Sequence, residues 1–224
     1  MKSHESPFQC FVTKDISKAE QIFKIKEDLL VKPQNTRKAT HDEKNEYSES
    51  GFVIGDHSIE EIKQWINSEM DQVYIVQKKN AEDSVLAYLI ILNDKEIHEE
   101  VKEYSKEINF NEDQHKKVID SNEYVYLIQI AVSPSHQRQG IGSLLLNTAY
   151  QDINKPIISF VMKNPILNKA SLSLHLRQGF DYMGEYFGSF GEFKGYKSIG
   201  LIHYPNNKTR NKKDIINLMN KFNE

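Results

Sequence analysis

The chain has 224 residues, of which 38% are hydrophobic and 27% charged, with a formal net charge of −3 and a single cysteine. That balance argues against a nucleic-acid binder, which would be basic, and no segment approaches the roughly 20 apolar residues of a membrane span. Cys10 has no disulfide partner within the chain and none of the companions of a cysteine-rich zinc site.

This length suits one domain, residues 1–224, with embellishments on a core of about 8–204. Met1–Pro7 lacks the apolar centre of a secretion signal, so the reducing cytoplasm is the expected setting. Phe8 to Thr13 is apolar enough for a first strand. Ser17-x-x-Glu20 resembles a capping box opening a helix with Ala19, Ile22, Phe23, Lys26, Leu29 and Leu30 on its buried face, which stops before Pro33. Residues 33–50 have no apolar period and read as a loop. Ser58-x-x-Glu61 is a second capping box, with Ile62, Trp65, Ile66 and Met70 toward the core. Val73–Lys78 and Val85–Leu92 form a hairpin across the polar residues 79–84.

Residues 93–123 are an acid-rich insert with a helix on Ile97, Val101, Tyr104 and Ile108, expected along one edge of the domain. Beside a catalytic cleft, its charge would favour a cationic acceptor such as an amine. Ile157–Met162 is a strand rich in β-branched residues. Asn168–Gln178 reads as a helix closed by Gly179. Phe180–Phe187 and Ser198–Tyr204 are the last strands, joined by an aromatic loop, Gly188–Gly195. A charged tail, about 207–224, carries a helix from about Lys212 to Phe222.

The most informative stretch lies between the insert and Ile157. Tyr124 to Val132 is an almost unbroken apolar run, hence a buried strand, and it ends at Pro134. Gln137-Arg138-Gln139-Gly140-Ile141-Gly142 follows, and then Ile141, Leu144, Leu145, Thr148 and Ala149 mark one face of a helix to about Gln151. Strand, glycine loop and helix together aim backbone N–H groups and a positive helix end at an anion, here read as a pyrophosphate. Glycines 140 and 142 would take positive φ and allow close approach. Gln137, Arg138 and Gln139 add donors. No Lys-Ser/Thr follows the second glycine, so it is not a Walker loop, and it lacks the third glycine of a dinucleotide fingerprint.

Ile130-Ala131-Val132-Ser133-Pro134 and the loop after it are similar to the Gln/Arg-x-x-Gly-x-Gly/Ala signature of the GCN5-related N-acetyltransferases (GNAT). Asn168-Lys169-Ala170-Ser171-Leu172-Ser173-Leu174-His175-Leu176-Arg177-Gln178-Gly179-Phe180 resembles that superfamily's Asn-x-x-Ala-x-x-x-Tyr-x-x-x-Gly-Phe. The resemblance covers about residues 8–204, most closely 124–180. It implies an α/β fold of the α+β kind: a mixed, mostly antiparallel central sheet of about seven strands flanked by helices, in the order β-α-α-β-β-β-α-β-α-β-β, with the insert between the third and fourth strands.

The resemblance also implies a reaction: acetyl-CoA as co-substrate, an amine acceptor, and direct attack of the amine on the thioester in a ternary complex. Ile130, Ala131 and Val132 would meet the pantetheine arm through backbone groups, with Gln137, Arg138, Gln139, Gly140, Ile141, Gly142 and Ser143 on the diphosphate, and Asn168 and Ser171 at the next helix. For Asn168, a helix cap is an equal alternative. Where the pattern has a tyrosine, proposed to protonate the departing thiolate, this chain has His175, either an acid of suitable pKa or a packing substitution. Tyr182 and Tyr186 are weaker stand-ins. Where many members carry a glutamate on the central strand, this chain has Gln129, which cannot take a proton; it would position water, touch the acceptor or simply sit on the sheet face. Glu123, Tyr126 and Glu185 are near, and none is singled out as a base. The departures from the pattern keep a second reading open, a non-catalytic acyl-CoA sensor. The histidines have no metal spacing, and no metal is expected. His136 reads as a loop residue and Cys10 as a buried one. The aromatic Phe187–Tyr196 segment would serve a homodimer contact; neither membrane nor nucleic acid is an expected partner.

Overall fold

The computed structural model describes residues 6–55, 57–81, 83–190 and 193–222. The chain opens with β1 (Phe8–Val12) and α1 (Ala19–Leu29). The cap of this first helix is not the expected Ser17 box. Asp15 accepts from the Ser17 amide and starts a short 3-10 turn that runs into the helix, as an Asx side chain can do two residues earlier than a box would.

Residues 33–50 are not a loop. They fold as α2 (Pro33–Lys38) and α3 (His41–Ser50). Thr40 and Glu43 form a reciprocal capping box at the start of α3, with the Thr40 amide donating to Glu43 Oε2 at 2.7 Å. Helix α3 is polar almost all round, so no apolar period marks it. It is held by docking instead: the Ser48 hydroxyl donates to the Leu167 carbonyl at 2.5 Å, and Lys169 pairs with Glu49 at 3.1 Å.

Helix α4 (Ile59–Asn67) carries the capping box of Ser58 and Glu61 as expected, and buries Ile62 and Ile66; Met70 lies beyond its end and is exposed. The hairpin β2 (Gln72–Lys78) and β3 (Ala87–Leu92) follows. The insert holds more than one helix: α5 (Lys95–Ser105), β4 (Ile108–Phe110) and α6 (Asp113–Ser121). Ile108 therefore belongs to a strand, not to the helix of Tyr104. Then come β5 (Val125–Val132), α7 (Ile141–Asp152), β6 (Ile157–Asn164), α8 (Lys169–Arg177), β7 (Asp181–Phe190), β8 (Phe193–His203) and α9 (Lys212–Asn220). Segment Gly188–Gly195, expected as a loop, continues the β7–β8 pairing through Gly188↔Tyr196 and Ser189↔Lys194; Gly191 and Glu192 lie outside the described residues.

Among the described residues eight strands form one sheet, in the order β1-β2-β3-β5-β6-β8-β7-β4. Every neighbouring pair is antiparallel except β5 and β6. The strand beyond the expected seven is β4, which adds to the free edge of β7 through Ile108↔Tyr186 and so covers it. Side chains alternate between the two faces. On one face Val73, Ile75, Tyr88 and Ile90 pack with Ile22 and Ile25 of α1 and Ile62 and Ile66 of α4. On the other, Tyr74, Val76, Leu89 and Leu127 pack with Leu145, Leu146 and Ala149 of α7 and Leu172 and Leu176 of α8. Among the described residues, no helix is long and apolar enough to cross a membrane, and no three or more His, Cys, Asp or Glu form a group fit to hold a metal ion.

Candidate active site

The site begins where β5 and β6 part. They pair in parallel only from Val125↔Ile157 to Leu127↔Ser159. A bulge against β3, between Ile90↔Gln129 and Ile91↔Leu127, leaves Ile128 without an opposite residue and bends β5. Beyond it β5 stays with β3 and β6 stays with β8, so the sheet opens between them. Backbone in such a gap needs partners from outside the sheet.

A cleft of about 560 Å³ occupies this opening. Ile130, Ala131 and Val132 of β5 form its floor. Gln137, Arg138, Gly140, Ile141, Gly142 and Ser143 form one wall, and Asn168, Ser171, Ser173, Leu174 and Arg177 of α8 the other. Of the residues expected at the coenzyme, only Gln139 lies off the wall; its amide donates to the Ser135 carbonyl at 3.4 Å.

The loop's backbone donors are free, while the side-chain amides of Gln137 and Gln139 donate to the Val132 and Ser135 carbonyls. Among the described residues, no backbone N–H from Gln137 to Ser143 has a hydrogen-bond partner within the chain; the helical bonding of α7 starts with the Leu144 amide on the Gly140 carbonyl. Those amides sit at the positive end of α7, an arrangement suited to an anion. Arg138 and Gly140 both stand in the left-handed region, at φ 61° and 81°. A Cβ on Gly140 would meet nothing within 4 Å, so its glycine answers to φ, and the space above it is open to a ligand. Gly142 differs from expectation. It is helical, and a Cβ there would come within 2.9 Å of Leu174 Cδ2. Its glycine lets α7 pack against α8 rather than letting a phosphate approach.

Asn168 is 6% exposed and fully engaged. Its Oδ1 accepts from the Ser171 amide at 3.1 Å as the cap of α8, and its Nδ2 donates to the Phe52 carbonyl at 2.7 Å. It thus pins the Gly51–Val53 segment, which lines the cleft opposite β5. Residues 31–57 are expected to shape acceptor choice, but not to line the coenzyme cleft; the polar stretch before Gly51 carries no period, and the Thr40-x-x-Glu43 box is its one local mark. Met219 of α9 also reaches the rim.

His175 and Gln129 do not line the cleft. Helix α8 ends in a Schellman motif: the Phe180 amide donates to the His175 carbonyl at 3.1 Å, and the Gly179 amide to Leu176 at 3.2 Å, with Gly179 at φ 96°. In this motif the third residue from the helix end packs on the second residue beyond the cap. Those two are His175 and Phe180, whose rings meet edge-on with centroids 4.8 Å apart. The His175 imidazole is 1% exposed, donates from Nδ1 to the Ser171 carbonyl at 2.8 Å, and leaves Nε2 without a partner among the described residues. Burial pushes its pKa down to about 4. Gln129 is equally enclosed: Tyr88 donates its hydroxyl to Oε1 at 2.5 Å, and Nε2 donates to the Ile54 carbonyl at 3.2 Å. His136, expected as a plain loop residue, closes a short 3-10 turn (Pro134–His136) and lines the cleft, with Nδ1 3.0 Å from the Ser133 hydroxyl.

The family model described as the acetyltransferase (GNAT) family matches residues 38–180, well over half of the chain. The chain belongs to that family. Solved structures agree on the fold. The ribosomal-protein-S18-alanine N-acetyltransferase of Escherichia coli is 12% identical with a TM-score of 0.53, over 92% of this chain and 97% of that one. An N-acetyltransferase of Staphylococcus aureus Mu50 is also 12% identical, with a TM-score of 0.55 over 90% and 100%. The yncA protein of Salmonella typhimurium, solved with its cofactor acetyl-CoA, is 12% identical with a TM-score of 0.52 over 90% and 95%. No curated protein matches by sequence. Membership supports acetyl transfer in general, and in this chain the GNAT core carries an extra sheet strand supplied by the 93–123 insert.

Proposed function

We propose that the protein moves an acetyl group from acetyl-CoA to a primary amine of a small molecule or peptide, by direct attack of the amine in a ternary complex. The observation that carries this reading is the row of unpartnered amides from Gln137 to Ser143 at the mouth of the cleft. Those amides, the α7 N-terminus and Arg138 would hold the diphosphate, and the open edge of β5 from Ile130 to Val132 would take the pantetheine amides. Bound there, acetyl-CoA supplies an activated acyl group. The chain's own work is to hold that group in line with the amine and to offer a β5 amide to the carbonyl oxygen.

His175 is assigned a packing role, because it is sealed behind the wall of the cleft and kept neutral. A thiol has an ordinary pKa of about 8.5, so thiolate can depart without a dedicated acid. The enclosure of both His175 and Gln129 is also the observation that favours a second reading, an acyl-CoA sensor with no transfer.

Calorimetry with coenzyme A and a thiol-release assay with an amine panel test the two together. Micromolar binding with amine-dependent thiol release supports transfer; binding with no release across the panel supports the sensor; absence of binding defeats both. Gly140→Ala should weaken coenzyme A by about tenfold, because a side chain at φ 81° costs on the order of 1–2 kcal/mol and the loop must shift to relieve it.

A further inference from the structure

A second, smaller cavity of about 40 Å³ lies beside the cleft and shares no residue with it. Its walls are mostly aromatic: Tyr104 from the insert helix α5, Tyr126 on β5, Phe160 on β6, Tyr186 on β7 and Tyr196 on β8, with Ile128 at the bulge of β5. The rings surround a common space. Tyr104 and Tyr186 have centroids 5.5 Å apart, Tyr186 and Tyr196 5.7 Å, and Phe160 and Tyr186 6.2 Å. A volume of this size admits one small group and no more.

The charge at the rim is negative. The Tyr104 hydroxyl donates to the Glu100 carboxylate, one turn earlier on α5, and Glu100 has no cationic partner among the described residues. Burial first, then the hydrogen bond and charge of Glu100, raises the pKa of Tyr104. Of the lysines adjacent in sequence to lining residues, Lys163 is paired with Glu185 at 2.7 Å and Lys197 has its Nζ 6.0 Å from the centre of the Phe187 ring. Aromatic walls with an unpaired carboxylate at the mouth attract an alkylammonium group and give nothing to an anion.

Its position relates it to the chemistry. Ile128 lines the cavity and Ile130 the coenzyme cleft, two residues apart on β5, and Ile54 and Val53 divide between them in the same way. The bulge at Ile128 turns these two side chains to opposite faces of the sheet, Ile128 against the α1–α4 core and Ile130 against the α7–α8 core. A ligand joining the two sites therefore has to pass the opened sheet as a short flexible chain, such as that of a diaminobutane.

We propose that this tyrosine-lined cavity is the anchor for the acceptor, holding the distal ammonium of an aliphatic diamine while its other, neutral amine reaches the acyl group at Ile130. The assignment rests on the acetyl-transfer reading for its purpose, but the anchor binds its cation whether or not transfer occurs. The test is therefore an equilibrium one on the full chain without coenzyme: calorimetric titration with diaminobutane, with butanediol as the neutral control. Diaminobutane should bind and butanediol should not. Tyr104→Leu and Glu100→Gln should each weaken the diamine by about tenfold, whereas Tyr104→Phe, which keeps the ring, should stay within about threefold. Butanediol binding as well as the diamine, no binding of either, or Tyr104→Leu matching the parent would overturn the assignment. If coenzyme binding fails while these results hold, the fault lies with the acetyl-transfer reading and not with the anchor. In turnover, diaminobutane should exceed butylamine in kcat/KM, and the advantage should vanish in Tyr104→Leu.

Discussion

His175 shows how one residue changes meaning once its neighbours are known. In the sequence it occupies a tyrosine's place in a family motif; in the structure it is the packing partner of Phe180 at the end of α8. Its charge state has a consequence for stability. In the unfolded chain an imidazole takes a proton near pH 6.5, but in the folded chain His175 resists until about 4. Between those values the unfolded state binds more protons, so stability falls as the pH drops through that window, by roughly 3 kcal/mol from this residue. His203, stacked on Tyr150 at 3.9 Å and likewise pushed down to about 4, adds to the same slope. His175→Phe should leave acetyl transfer within about threefold and flatten part of the loss in urea midpoint between pH 7 and 4.5. An unchanged pH dependence, or a collapse of turnover at intact coenzyme affinity, would return the residue to the chemistry.

At the scale of elements, α3 is the part of the site with the least intrinsic support. It is ten residues long with a single buried one, Ser48, and its order depends on the Thr40–Glu43 box and on the contacts of Ser48 and Glu49 with the α8 region. Losing an N-cap of this kind costs about 1 kcal/mol. Thr40→Ala should therefore speed amide exchange across residues 41–50 and weaken coenzyme A by a few-fold, with little change in the global melting temperature. A global shift with no local change in exchange would mean that α3 is part of the cooperative core. The same contrast explains what could be read beforehand. Helices α1, α4 and α7 bury a stripe, so their apolar period shows in the sequence. Helix α3 buries almost nothing, and its only local mark is a cap. Strand β4 is three residues long and exists because β7 offers it an edge; no pattern of three residues can announce that.

For the whole molecule, the sheet is the common wall of two cores. Tyr74 and Ile75 are neighbours in β2 yet belong to opposite clusters, and the same alternation runs through β3 and β5, so neither core can be lost without exposing the strands that support the other. We expect residues 1–224 to unfold in one transition. Fluorescence of the sole tryptophan, Trp65, which packs on the α1–α4 face, and the far-ultraviolet circular dichroism of the whole chain should give coincident melting curves. An earlier fluorescence transition would divide the chain into two units.

The glycine loop, the buried strand before it and the capped helix after it were legible because each depends on residues within a few positions of one another: φ at Gly140, apolar continuity in β5, a cap at Asn168. The sequence by itself therefore determined the family and the order of the seven core strands, and it marked the loop to which a diphosphate is here assigned. The tertiary structure alone decided which side chains face the cleft. His175 and Gln129 turned inward because burial and hydrogen bonding with distant partners, Phe180 for one and Tyr88 and Ile54 for the other, set their orientation. The five rings of the smaller cavity come from five separate elements. Only closure of the sheet and docking of the insert on its edge bring them together, since contacts across such separations are set by packing and not by local sequence.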